Sequence, residues 1–119
     1  MAALTAALLL LAHSEVVRLT YYTLPGYMAN GNRVHLGAAA CSKWMPLGQR
    51  LKLPDGFEVT CEDRGDGDRY WGAWVDVWAP SRSWGASRIT GTYGDYALVE
   101  FLEEEASEND QDLWPAGYR

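Results

Sequence analysis

Two aspartates, Asp63 and Asp76, sit on short runs of alternating polar and apolar residues. Asp63 closes Phe57-Glu58-Val59-Thr60-Cys61-Glu62-Asp63, and Asp76 lies within Ala73-Trp74-Val75-Asp76-Val77-Trp78. A period of two is the pattern of a half-buried strand. It places Phe57, Val59, Cys61 and Asp63 on one face, the inward one. It places Trp74, Asp76 and Trp78 on one face of the second strand, with Ala73, Val75 and Val77 on the other. A carboxylate among apolar side chains is costly unless it has a partner or a task. Burial or a nearby like charge raises its pKa, which lets a carboxyl hold a proton near neutral pH and act as a general acid and then a base. Glu62 points outward by the same alternation, and Asp66 falls in the Gly/Asp loop at 64–70, so neither competes. The plainer reading is that Asp63 caps the Gly65 turn through backbone amides and that Asp76 holds neighbouring N–H groups. Asp63, Asp66 and Asp68 lack the full calcium-loop pattern, and no metal site is expected.

Short strands must position these groups. Val16 to Tyr22 is β-branched and aromatic, and reads as a strand. Pro25-Gly26 and Asn30-Gly31 mark turns flanking a loop, Leu36 to Cys41 reads as a short buried strand, and Pro46-Leu47-Gly48 is a turn. Gln49 to Leu53 alternates and is joined through Pro54-Asp55-Gly56 to 57–63, which predicts a hairpin. Residues 80–90 are polar, with one helical turn near Ser83 to Ser87, and Ala97 to Leu102 is the last strand. Six short strands punctuated by Gly and Pro, without a long amphipathic helix, predict a small all-β barrel.

The chain has 119 residues, enough for one domain, and 48% apolar residues, enough for a core. Its net charge of −6 is confined to one end. Residues 103–112 carry six acids without a base, and the remaining ten acids are matched by ten bases, Arg119 among them. A neutral body has no electrostatic footprint for nucleic acid. The acidic tail reads as loosely ordered and as a contact for a protein assembly partner. Six Trp and seven Tyr against two Phe suit a binding surface as well as a core. Tyr22, Trp44, Tyr70 and Trp71 are the candidate aromatics for stacking on a ligand, the last three because they lie in loops beside the aspartates.

Cys41 and Cys61 form no Cys-x-x-Cys pair, and His13 and His35 are not at metal-ligand spacing. The cysteines are either one disulfide or two buried thiols, depending on the compartment. Residues 2–12 are an Ala/Leu run before Ala12-His13-Ser14, which resembles a short secretory signal, with an N-terminal helix as the alternative. The run is too short for a permanent membrane span. The expected organisation is 1–14 as signal or helix, 15–102 as the barrel, and 103–119 as the tail.

The ordered series Tyr21-Tyr22, Ala29-Asn30-Gly31, Ala39-Ala40-Cys41, Lys43, Pro46-Leu47-Gly48, Asp63-Arg64-Gly65 and Val75-Asp76-Val77 resembles the double-psi β-barrel domains of rare lipoprotein A and the three-aspartate proteins. The resemblance covers about residues 18–102. It implies a six-stranded double-psi barrel, a cell-envelope or secreted location (or a phage-encoded protein acting there), and peptidoglycan or a related glycan as partner, with no cofactor. Asp63 matches the aspartate of the Asp-Arg-Gly motif, the family's acid/base candidate. Asp76 matches the Ile-Asp-Leu aspartate, and Lys43 a lysine of the three-aspartate proteins. The implied reaction is lytic transglycosylation. One carboxyl protonates the glycosidic oxygen and then takes the proton of the muramic acid 6-hydroxyl, closing a 1,6-anhydro ring without water, unlike a two-carboxylate hydrolase. Cys41 stands where the family has an aspartate or histidine, and Asn32 where rare lipoprotein A has an acid. The loss of a third polar group leaves a non-catalytic glycan-binding or structural barrel as the alternative. If Cys41 faces the Asp63 strand as its counterpart does, Cys61 is its disulfide partner.

Overall fold

The computed structural model describes residues 13–65 and 72–102. Six strands run in sequence order: β1 (His13–Tyr22), β2 (Ala38–Cys41), β3 (Arg50–Lys52), β4 (Glu58–Arg64), β5 (Trp74–Trp78) and β6 (Tyr96–Leu102). They close into one barrel in the order β1-β5-β2-β4-β3-β6. Two pairs are parallel, β1 with β5 and β2 with β4; the other four are antiparallel. The molecule is therefore a small all-β barrel, and closure leaves no unpaired sheet edge.

Alternation fills the interior. Val17 and Leu19 of β1, Leu51 of β3, Val59 and Cys61 of β4, Val75 and Val77 of β5, and Val99 and Phe101 of β6 are all buried in one cluster, which Met45, Leu53 and Ile89 extend. The small residues of β2 let it pack between β4 and β5 with all four positions buried. The β3–β4 hairpin forms as the Pro54-Asp55-Gly56 turn predicts. Leu51 lies opposite Val59, Gly56 takes φ +94°, and Asp55 Oδ1 accepts from Phe57 N at 3.0 Å.

The polar stretch after β5 is more helical than the sequence suggests. Arg82–Gly85 is α-helical, Ala86–Thr90 is wound as a π-helix, and Gly91–Tyr93 is again helical. Ser81 starts it, its Oγ accepting from Trp84 N at 3.1 Å, as an N-cap does. Ile89 is its fully buried anchor, and Gly85 lies so close to the Tyr21 ring that a Cβ there would sit 2.2 Å from a ring carbon. Gly85 and Gly91 are poor helix formers, so propensity hides a helix that packing sets.

At the N-terminus, His13 and Ser14 already belong to the barrel. They pair with Phe101 and Glu100, and the His13 ring stacks on Phe101 at 4.7 Å. The Ala/Leu run before them and the acidic tail lie outside the described residues. No helix among the described residues is long and apolar enough to cross a membrane.

Candidate functional site

Strand register brings the two aspartates into one row. Asp76 of β5 lies opposite Thr20 of β1 on one side and Ala40 of β2 on the other, and Ala40 lies opposite Asp63 of β4. Neighbouring strands are about 4.8 Å apart, so the two aspartate Cα atoms are about 10 Å apart. Ala40 lies between them, the row's smallest side chain. Residues in register point the same way, and the flanking Ala39, Cys41, Val75 and Val77 fill the core. The row Thr20–Asp76–Ala40–Asp63 therefore lies on the barrel's outer wall.

This corrects the expected orientation of β4. Ala39 pairs with Cys61 but Ala40 with Asp63, so the register jumps and Glu62 is an extra, bulged residue. The bulge reverses the phase of the strand. Asp63 leaves the Val59/Cys61 face for the outer wall, and Glu62 becomes one of two buried polar residues among those described, 7% exposed. A one-residue slip changes which face every later side chain occupies, and alternation read from sequence assumes no slip.

Each carboxylate has its own environment. Asp76 accepts from the Thr20 hydroxyl at 2.7 Å, and Thr20 Oγ1 accepts from Trp74 Nε1 at 2.9 Å. Burial pushes the Asp76 carboxyl above its ordinary value, and the Thr20 bond offsets part of that rise. Asp63 Oδ1 accepts from the backbone N–H of Ala29 and of Arg64, both at 2.9 Å. The first of these bonds ties the 23–37 loop to β4. Glu62 is the loop's second anchor. Its Oε1 accepts from Asn30 Nδ2 at 2.9 Å and Asn32 Nδ2 at 3.1 Å, and its Oε2 lies 2.6 Å from His35 Nε2. Nδ1 of His35 donates to the Leu36 carbonyl at 2.8 Å. Burial raises the Glu62 pKa, but the two amides and His35 outweigh it and hold the carboxyl below its usual range.

Tyr22, two residues beyond Thr20 on the same face, belongs to this group. Burial, then the charges of Asp63, Asp76 and Glu62, push its phenol up to about 12. Its buried hydroxyl has no hydrogen-bond partner among the described residues.

The other expected site residues divide. Trp44 is 59% exposed on the loop after β2, so it is available for stacking. Arg64 holds that loop, its Nη1 donating to the Lys43 carbonyl at 3.1 Å and to the Met45 carbonyl at 2.7 Å. Lys43 is exposed on the same loop. Tyr70 and Trp71 lie outside the described residues. Cys41 and Cys61 form a disulfide with Cα atoms 5.6 Å apart, buried in the core. It joins β2 to β4 beneath the row. Among the described residues no three His, Cys, Asp or Glu side chains are grouped to hold a metal ion.

Sequence reasoning missed Thr20, Glu62, Asn30 and His35. Thr20 was readable, since the β1 alternation puts it beside Tyr22 and opposite Leu19. The Glu62 network was not, because it depends on the bulge. Comparisons with family models, curated proteins and solved structures find no match.

Proposed function

We propose that this barrel acts on the cell wall, binding peptidoglycan glycan strands across the Asp63–Asp76 row and cleaving them by lytic transglycosylation. The observation that carries the reading is the row itself: two carboxylates on one outer wall, separated by an alanine, with Thr20 and Tyr22 beside them. The resemblance to the rare lipoprotein A and three-aspartate families supplies the substrate class.

The residue motifs put the acid/base at Asp63; the environments favour a division of labour. Asp76, raised by burial, is the carboxyl suited to hold a proton for the glycosidic oxygen. Asp63, fixed by two backbone N–H groups, is suited to accept hydrogen bonds from sugar hydroxyls. Trp44 offers an exposed ring for stacking on a sugar face, and Lys43 lies beside it on the same loop. The Cys41–Cys61 disulfide suits an oxidising compartment, in keeping with a secreted or envelope protein.

A non-catalytic glycan-binding barrel is the second reading. One observation favours it: Cys41, at the position of the family's third polar group, has its sulfur in the core disulfide. Digestion of purified peptidoglycan separates the two. Anhydro-muropeptides that vanish with Asp76→Ala support cleavage, and binding without product supports the second reading.

A further inference from the structure

Tyr22 has a feature that neither the acid/base pair nor the barrel requires. Its phenol is part-buried on the outer wall, next along β1 from the Thr20–Asp76 pairing, with Trp78 opposite it on β5. Its hydroxyl is withdrawn from solvent and makes no hydrogen bond among the described residues. A buried hydroxyl without a partner carries an uncompensated desolvation cost. Three carboxylates, Asp63, Asp76 and Glu62, are close enough to act on it electrostatically, and each opposes its ionisation. The group is therefore a neutral donor at any physiological pH.

Apart from Asp76, whose proton is reserved for the glycosidic oxygen, every neighbouring group of the row is committed or can only accept. Thr20 donates to Asp76, Asp63 Oδ1 already accepts two bonds, and Glu62 is saturated by Asn30, Asn32 and His35. Besides the Asp76 carboxyl, a ligand that lies on this wall meets a carboxylate that accepts, Asp63, and one hydroxyl with a proton to give, Tyr22. We infer that Tyr22 is the ligand-reading donor of the row, giving its hydrogen bond to an uncharged oxygen of a carbohydrate, a hydroxyl, ether or N-acetyl carbonyl. An anionic acceptor is excluded by the same carboxylates, because like charges in a site sheltered from water repel strongly. The inference rests on the glycan reading above and adds to it a specificity: neutral sugar units over acidic ones.

The test is calorimetric titration of the wild type and Tyr22→Phe with a tetramer of N-acetylglucosamine and with an oligogalacturonate of equal length, together with thermal unfolding of both proteins. Wild type is expected to bind the neutral oligomer and to reject the acidic one. Tyr22→Phe is expected to bind the neutral oligomer on the order of tenfold more weakly, the effect of one hydrogen bond lost from a sheltered site. Its melting temperature is expected to be unchanged or higher, because the phenylalanine ring fills the same space and no internal bond is removed. A hydroxyl engaged within the fold would instead lower it. Equal binding by both proteins, a melting temperature several degrees lower in Tyr22→Phe, or preference for the oligogalacturonate overturns the inference. Failure of the wild type to bind the neutral oligomer overturns the glycan reading, and the donor role with it.

Discussion

The barrel has two outer walls built alike and used differently. On one, Thr20, Asp76, Ala40 and Asp63 form a row across β1, β5, β2 and β4. On the other, Ser14, Glu100 and Lys52 form a row across β1, β6 and β3, beside a cavity of about 370 Å³ that Leu53, Pro54 and Leu98 complete. Both rows contain an acid; the second follows from alternation alone, and the first needs the bulge at Glu62 to bring Asp63 into it. The difference is cover. The first wall is crossed by the 23–37 loop, pinned by Asp63 and Glu62, and by the loop after β2, pinned by Arg64. The second stands open, with Val16, Leu98 and Tyr96 all more than half exposed. Glu100 is exposed to water, whereas water is partly excluded from Asp76 and burial raises its carboxyl. Strands supply the register, and loops create the chemical environment.

The largest way to break this contrast is to cut the tie beneath the covered wall. Replacing Cys41 and Cys61 with alanine opens a link of sequence separation 20 between β2 and β4. Loop entropy sets the expected loss at roughly 3 kcal/mol, measured by denaturant unfolding with and without reductant. Loss of glycan binding is expected to accompany it, because the two strands hold Asp63 and Ala40 in register.

Next come the two shifted carboxyls of the covered wall, whose pH signatures have opposite signs. Glu62 has a lowered pKa, so its stabilisation is present above its unfolded value of about 4.5 and is lost as pH falls through the folded value. Asp76 has a raised pKa, so its stabilisation is present below its unfolded value of 3.8 and is lost as pH rises through the folded value. Glu62→Gln is expected to cost about 2 kcal/mol at neutral pH, from the weakened hydrogen bonds of a charged carboxylate to Asn30, Asn32 and His35, with the cost vanishing in acid. Asp76→Asn is expected to be no less stable than the wild type at neutral pH and to lose that advantage in acid. Unfolding curves across the acid range check both, and slopes of the same sign in the two variants would contradict the assignment.

The smallest effect belongs to the open wall. Lys52→Ala and Glu100→Ala are each expected to change stability by less than about 0.5 kcal/mol, as solvated surface charges do, and to leave glycan binding untouched. A large effect there would move the functional face to the other side of the barrel.

Much of this contrast is legible in the sequence. All six strands fall where alternation, β-branching and turn residues place them, because each carries its pattern locally. The grouping of Trp74, Asp76 and Trp78 on one face is likewise read correctly, since β5 is regular. Asp63 is assigned to the wrong face because the bulge at Glu62 is a property of the β2–β4 pairing, which no single segment encodes. The helix through Arg82 to Tyr93 is underread for a similar reason: contact with Tyr21 and burial of Ile89 hold it, while its glycines argue against it. The disulfide follows from neither cysteine alone but from which strands become neighbours.

The central claim is that the Asp63–Asp76 row is the working face, and digestion of purified peptidoglycan followed by mass spectrometry tests it most directly. The expected result is release of 1,6-anhydro-muropeptides by the wild type, falling at least about a hundredfold in Asp76→Ala and in Asp63→Ala, with Lys52→Ala unaffected. Anhydro products persisting at wild-type levels in both aspartate variants, or no product from any of the four proteins, would contradict it.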